Sequence, residues 1–137
     1  MTPVDQTRFG KQGNCLAACF ASILNVPLQL VDFSCANATQ ESCCHSLALE
    51  KLRPLGWSYI DWRLHRDPVG LLQVSLPENM LLVVGGKSPR EPELLHAMVY
   101  RMRQRVLTPE HDPHPSRAGI LDLQFAGVLI PVFAIRR

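Results

Sequence analysis

Residues Asn14 to Asn25 (NCLAACFASILN) are apolar on nearly every face and rich in the helix formers Ala and Leu. They begin after Gly13-Asn14 and stop before Pro27, which predicts a short helix buried on most sides, with Asn14 as its cap. Pro27 to Phe33 places Leu30 and Val31 at helical spacing from Pro27 and predicts one further turn. Thr39 to Leu52 carries a partly apolar face through Ser42, Cys43, Ser46, Leu47, Leu49 and Leu52, with Thr39 as cap and Pro54 and Gly56 as terminators. Beyond Gly56 the period becomes strand-like. Trp57 to Trp62 alternates aromatic and polar residues, Met80 to Val84 is a continuous apolar run, and Ala97 to Met102 alternates again. Phe125 to Ile135 closes the chain with apolar strand interrupted by Pro131, which suits an edge or a bulge. Helices first and strands afterwards predict an α+β domain with a mainly antiparallel sheet.

The length of 137 residues, 47% of them hydrophobic, and the lack of any linker-like tract predict one domain over residues 1–137. A formal charge of +2, dispersed along the chain, does not make the electrostatic footprint of a nucleic-acid binder. No apolar run approaches the roughly 20 residues of a membrane span, and the first residues lack the layout of a signal peptide. The expectation is a cytoplasmic protein that engages neither nucleic acid nor membrane. Nothing in the pattern bears on oligomeric state.

The five cysteines, Cys15, Cys19, Cys35, Cys43 and Cys44, are odd in number and confined to the first third of the chain. Their spacing matches neither a disulfide scaffold nor the paired C-x2-C layout of a structural zinc site. Cys19, Cys35, Cys43 and Cys44 are read as small buried hydrophobes. Gly85-Gly86-Lys87-Ser88 imitates the end of a phosphate loop, but Leu81 stands where the first glycine belongs and Pro89 where the helix should start, so it is read as a turn. Serine-hydrolase, dinucleotide and metalloprotease signatures are absent, and no cofactor is implied. The Arg101 to Arg105 stretch (RMRQR) reads as a solvated face.

Cys15 differs from the other thiols because it opens the first helix, near the positive end of the helix dipole. Two distant segments carry chemistry that matches it: His96 at the start of a strand, and Asp112 within His111-Asp112-Pro113-His114 after the next short strand. A thiol becomes a good nucleophile when an imidazole shares its proton, and a third side chain can hold the imidazole in the right tautomer.

Gln6, Gly13-Asn14-Cys15-Leu16-Ala17-Ala18 on a helix, His96 opening an apolar strand and Asp112 after the following strand resemble the papain-like thiol hydrolase superfamily, particularly its small members similar to C39-type bacteriocin-processing peptidases. The resemblance spans roughly Gln6 to Ser116. It implies a papain-like fold, Cys15 as nucleophile, His96 as general base and acid, and Asp112 as the residue orienting His96. It also implies a glutamine donor to the oxyanion. Gln6 is the candidate, although it stands farther from Cys15 than is usual for the superfamily, so Gln12 or the Asn14 side chain remain alternatives. The Pro- and charge-rich loop before His96 is expected beside the cleft, with Asn14, Ser88 and Arg90 as substrate-binding candidates. Trp57 and Trp62 are read as packing residues, one of which could wall the cleft.

The expected activity is cleavage of an amide bond in a peptide, protein or small amide through an acyl-enzyme. The same triad serves a transglutaminase-like transferase or a glutamine deamidase equally well. A different class, a non-catalytic binding or inhibitory module on the same scaffold, also fits the sequence. So does a metal protein built on His111, Asp112 and His114, although three ligands on one short Pro-rich segment have awkward geometry.

Overall fold

The computed structural model describes residues 1–37, 44–64 and 76–132. Helix α1 (Cys15–Leu24) buries Ala17 through Ser22, and Asn25 ends it in a left-handed conformation with φ of 56°. The single turn α2 (Leu28–Val31) follows Pro27, and α3 (Cys44–Leu52) leads into a 3-10 turn at Arg53–Leu55 that Gly56 closes with φ of 82°. The expected start of the third helix at Thr39, and Cys43 with it, lie outside the described residues.

Five strands follow: β1 (Trp57–Arg63), β2 (Leu81–Lys87), β3 (Leu95–Arg103), β4 (Val106–His111) and β5 (Leu123–Pro131). They form one sheet in the order β1-β5-β2-β3-β4, with every pairing antiparallel. The α+β class and the antiparallel sheet are as the sequence pattern predicts. Among the described residues, no helix is long and apolar enough to cross a membrane.

The sheet is buried on both faces, which explains why β2 reads as a continuous apolar run rather than an alternation. Val83 and Val99 face the helices, where Phe20, Val31, Leu52 and Tyr59 complete the larger core. Leu82, Val84, Met98, Tyr100 and Met102 point the other way into a second cluster. The basic stretch at the β3–β4 hairpin turns through Gln104 and Arg105, both at positive φ, and Glu110 pairs with Arg101 and Arg103.

Three expectations need correction. Gly85 and Gly86 are not a turn: they continue β2 and pair with Ala97 and His96 of β3. Their lack of a side chain is required there, because a Cβ on Gly85 would overlap the Phe125 ring and one on Gly86 the Asp122 carbonyl. β5 is not an edge strand, since it lies between β1 and β2. Pro131 is accommodated because β5 pairs with β2 only from Leu123 to Gly127, leaving its last residues paired to β1 alone. Residues 133–137 lie outside the described ones. Finally, Cys35 and Cys44 are not buried free thiols but a disulfide, with Cα atoms 4.9 Å apart. A disulfide persists best away from reducing compartments, so cysteine usage does not by itself argue for the cytosol.

Gly86→Ala should lower stability by about 2 kcal/mol or more, because backbone rather than a flexible side chain occupies the Cβ position. Urea unfolding of the variant checks this, and Gly56→Ala, with open space around its Cβ but positive φ, gives the comparison for backbone strain alone.

Candidate active site

Cys15 is the first residue of α1 and is half-buried, so its thiol stands at the helix N-terminus where the first backbone N–H groups lack intrahelical partners. β3 delivers His96 and the residue after β4 delivers Asp112, both buried. The His96 Nε2 lies 2.6 Å from Asp112 Oδ1. With Nε2 committed to the carboxylate, Nδ1 is the ring nitrogen left for Cys15, which lies near enough to raise the His96 pKa. The structure therefore brings Cys15, His96 and Asp112 together from segments about 80 and 16 residues apart.

Burial by itself pulls the His96 pKa down, but the hydrogen bond to Asp112, the nearby Cys15 and the charge on both partners outweigh it and hold the ring at about 9. Burial pushes the Asp112 carboxyl up. The His96 hydrogen bond and the backbone N–H groups of His114 and Gly119, at 2.9 and 2.8 Å, more than offset this and bring it to about 2. Asp112 is thus both the turn residue its Asp-Pro context suggests and the partner of His96. Cys19, one turn farther along α1, is fully buried, and burial together with Cys15 and Asp112 drives its thiol pKa well up. It is the inert core cysteine expected of it.

The candidates for the oxyanion donor separate clearly. Gln6 is buried on the cavity wall, with its amide Nε2 donating one hydrogen to the Arg8 carbonyl at 2.9 Å and its Oε1 unpartnered among the described residues. Gln12 is exposed on the 3-10 turn Gly10–Gln12 at the cavity rim.

Asn14 is neither a side-chain cap nor an available donor. Its Oδ1 accepts the N–H groups of Thr7 and Arg8, both at 3.0 Å, and its Nδ2 donates to Thr7 Oγ1 and Asp32 Oδ1. Two donors and two lone pairs are all in use, so Asn14 clamps the N-terminal segment against α1 rather than contacting substrate. Ser88 lines the cavity, but its Oγ accepts the backbone N–H groups of Arg90 and Glu91 and so shapes the loop before His96. Arg90 lines the same cavity with its guanidinium tied to Ser116 Oγ at 3.0 Å.

The cavity has a volume of about 950 Å³ and runs from Cys15 and His96 past Phe125 and Trp62 to His45 and Tyr59. Trp62 thus walls the cleft, whereas Trp57 packs on the larger core. The Cys35–Cys44 disulfide also lies on the wall. His111 and His114 part company: His111 Nε2 donates to the Val4 carbonyl at 3.0 Å, while His114 turns into the cavity beside His96. Among the described residues, no three His, Cys, Asp or Glu side chains converge as metal ligands.

Sequence reasoning missed Asp5 and Arg117. Arg117 makes a bidentate pair with Asp5 at 2.6 and 3.0 Å and donates to the carbonyls of Asp112 and His114, while Gln6 N–H donates to the Pro113 carbonyl at 2.9 Å. The clamp holds the segment bearing Gln6 against the loop bearing Asp112. Asp5 and Arg117 are 112 residues apart, so no local pattern announces the pair. Comparison with protein-family models, with curated proteins and with solved structures yields no match.

Two outcomes follow. Asn14→Ala should cost about 2 kcal/mol or more in urea unfolding, because it strands the N–H groups of Thr7 and Arg8 that the amide now serves. The stability contributed by the His96–Asp112 pair should be complete between the ordinary pKa values of 3.8 and 6.5. His96 has a raised pKa, so its share is lost as pH rises through about 9; Asp112 has a lowered one, so its share is lost as pH falls through about 2. The stability difference between wild type and His96→Gln, followed from pH 6 to 10, checks the alkaline limb. A difference that stays level across that range would contradict the assignment.

Proposed function

We propose that this chain is a papain-like thiol hydrolase that cleaves an amide bond through Cys15, His96 and Asp112. The observation that carries the reading is the His96 ring, held at 2.6 Å by a buried Asp112 carboxylate and sharing the wall of an open cavity with a half-buried helix-start thiol that raises its pKa. A core cysteine has no need of an imidazole, and a core histidine has no need of a cavity.

In this reading the thiol gives its proton to His96, and the sulfur attacks the carbonyl carbon of the amide. The negative charge that develops on the carbonyl oxygen is met by the Cys15 backbone N–H and by the second hydrogen of the Gln6 amide, whose first is fixed on Arg8. His96 then donates its proton to the leaving amine, which departs and leaves a thioester on Cys15. Water enters through the open cavity, loses a proton to His96, and attacks the thioester carbonyl. The acid is released and the thiol regains its proton. Asp112 keeps the ring in the orientation that faces sulfur and, by its charge, favours the imidazolium present after each proton transfer.

Iodoacetamide should alkylate Cys15 near neutral pH before any other free thiol, located by peptide mass mapping. His96→Ala should slow this reaction by about two orders of magnitude or more, while Asp112→Ala gives a smaller loss through misoriented imidazole. Equal labelling of wild type and the His96 variant would remove the basis for an enzyme and leave a binding module.

A further inference from the structure

Next to the thiol and imidazole the cavity carries two polar side chains that the reaction above leaves idle, Arg90 and His114. Ser116 holds both: its Oγ accepts Arg90 Nη1 at 3.0 Å, and its backbone N–H donates to His114 Nδ1 at 3.0 Å. Because a backbone N–H can only donate, Nδ1 is an acceptor, and a neutral ring must then carry its hydrogen on Nε2. Burial, and the charges of Arg90 and His96, push the His114 pKa down and favour that neutral form.

The ring is fixed on two further sides. Phe9 meets it edge-on at 5.1 Å, and its own backbone N–H is bonded to Asp112. Its centroid lies 6.2 Å from that of His96. Among the described residues His114 Nε2 has no hydrogen-bond partner and Arg90 has no ion pair. The neighbouring Glu91 also lines the cavity, with a carboxylate oxygen near Gly10 and no ion pair to Arg90, and Asp112 is occupied by His96. A guanidinium and an imidazole N–H, both tied to one serine, line the same cavity and offer it hydrogen-bond donors and a positive charge.

We infer that Arg90 and His114, coupled through Ser116, form an anion subsite that receives a carboxylate of the substrate a few atoms from the carbonyl attacked by Cys15. The substrate class is then an amide that bears a free carboxylate near the scissile bond, as in the terminal residue of a peptide. The inference rests on the thiol hydrolase reading and narrows it.

Iodoacetate and iodoacetamide test it directly. Each forms a sulfur–carbon bond to the Cys15 thiolate and expels iodide, and they differ only in a carboxylate against an amide. At Cys15 the iodoacetate-to-iodoacetamide rate ratio should exceed the same ratio on a free small thiol by about tenfold or more, the scale of a charge-assisted hydrogen bond. Arg90→Gln and His114→Phe, the second of which keeps a ring against Phe9, should each bring the ratio back toward the free-thiol value. Arg103→Gln removes the same charge at the far hairpin, where Arg103 pairs with Glu110, and should preserve it. A ratio at Cys15 equal to that of the free thiol, or an equal drop in all three variants, overturns the subsite. Failure of iodoacetamide to select Cys15 at all would instead strike the hydrolase reading, so the two failures are told apart.

Discussion

The candidate site depends on one buried contact, the 2.6 Å approach of His96 Nε2 to Asp112 Oδ1. Both groups are nearly sealed from water, so each would be costly alone and each is tolerable only because the other is present. The contact fixes which ring nitrogen remains for sulfur. It also fixes the Asp112 loop, because the same carboxylate accepts the N–H groups of His114 and Gly119. One carboxylate thereby sets the imidazole, the turn that follows it and the position of a second histidine at the cavity wall.

Around this contact the fold works as a set of clamps on segments that have little structure of their own. Asn14 gathers Thr7, Arg8 and Asp32, and Arg8 returns a bidentate pair to Asp32 at 2.9 Å. Arg117, held in a left-handed conformation with φ of 52°, ties Asp5 to the carbonyls that flank Pro113. Such backbone strain persists only where surrounding contacts over-determine it. Here the contacts join the segment carrying Gln6 to the loop carrying Asp112, and the rigid sheet supplies the third wall through His96. Preorganisation of this kind lowers the reorganisation needed when charge develops on a substrate.

The glycines of β2 and β5 show how packing, rather than turn chemistry, can demand the smallest residue. Gly85 and Gly86 let the Phe125 ring and the Asp122 backbone lie on the strand, and Gly127 leaves room for the Tyr59 phenol. Phe125 and Tyr59 are in turn walls of the cavity. Without these glycines the sheet would have to move away from its own neighbours, and the cleft would lose its floor.

Much of the architecture was legible in the chain because period and punctuation are local. The apolar run from Cys15 to Leu24 between Asn14 and Pro27, the change of period after Gly56, and the alternation from Ala97 to Met102 each report the environment of a few consecutive residues. The order of Cys15, His96 and Asp112 was legible as residue types suited to one chemistry. What the sequence did not disclose are facts about pairs remote from each other. The insertion of β5 between β1 and β2, the Cys35–Cys44 bond, the saturation of Asn14, and the meeting of Asp5 with Arg117 all depend on distance in space. Residue type and period determined which segments must bury and which side chains could react; only tertiary packing, by bringing remote polar groups within hydrogen-bond reach, decided which of those side chains were spent on holding the fold and which were left facing the cavity.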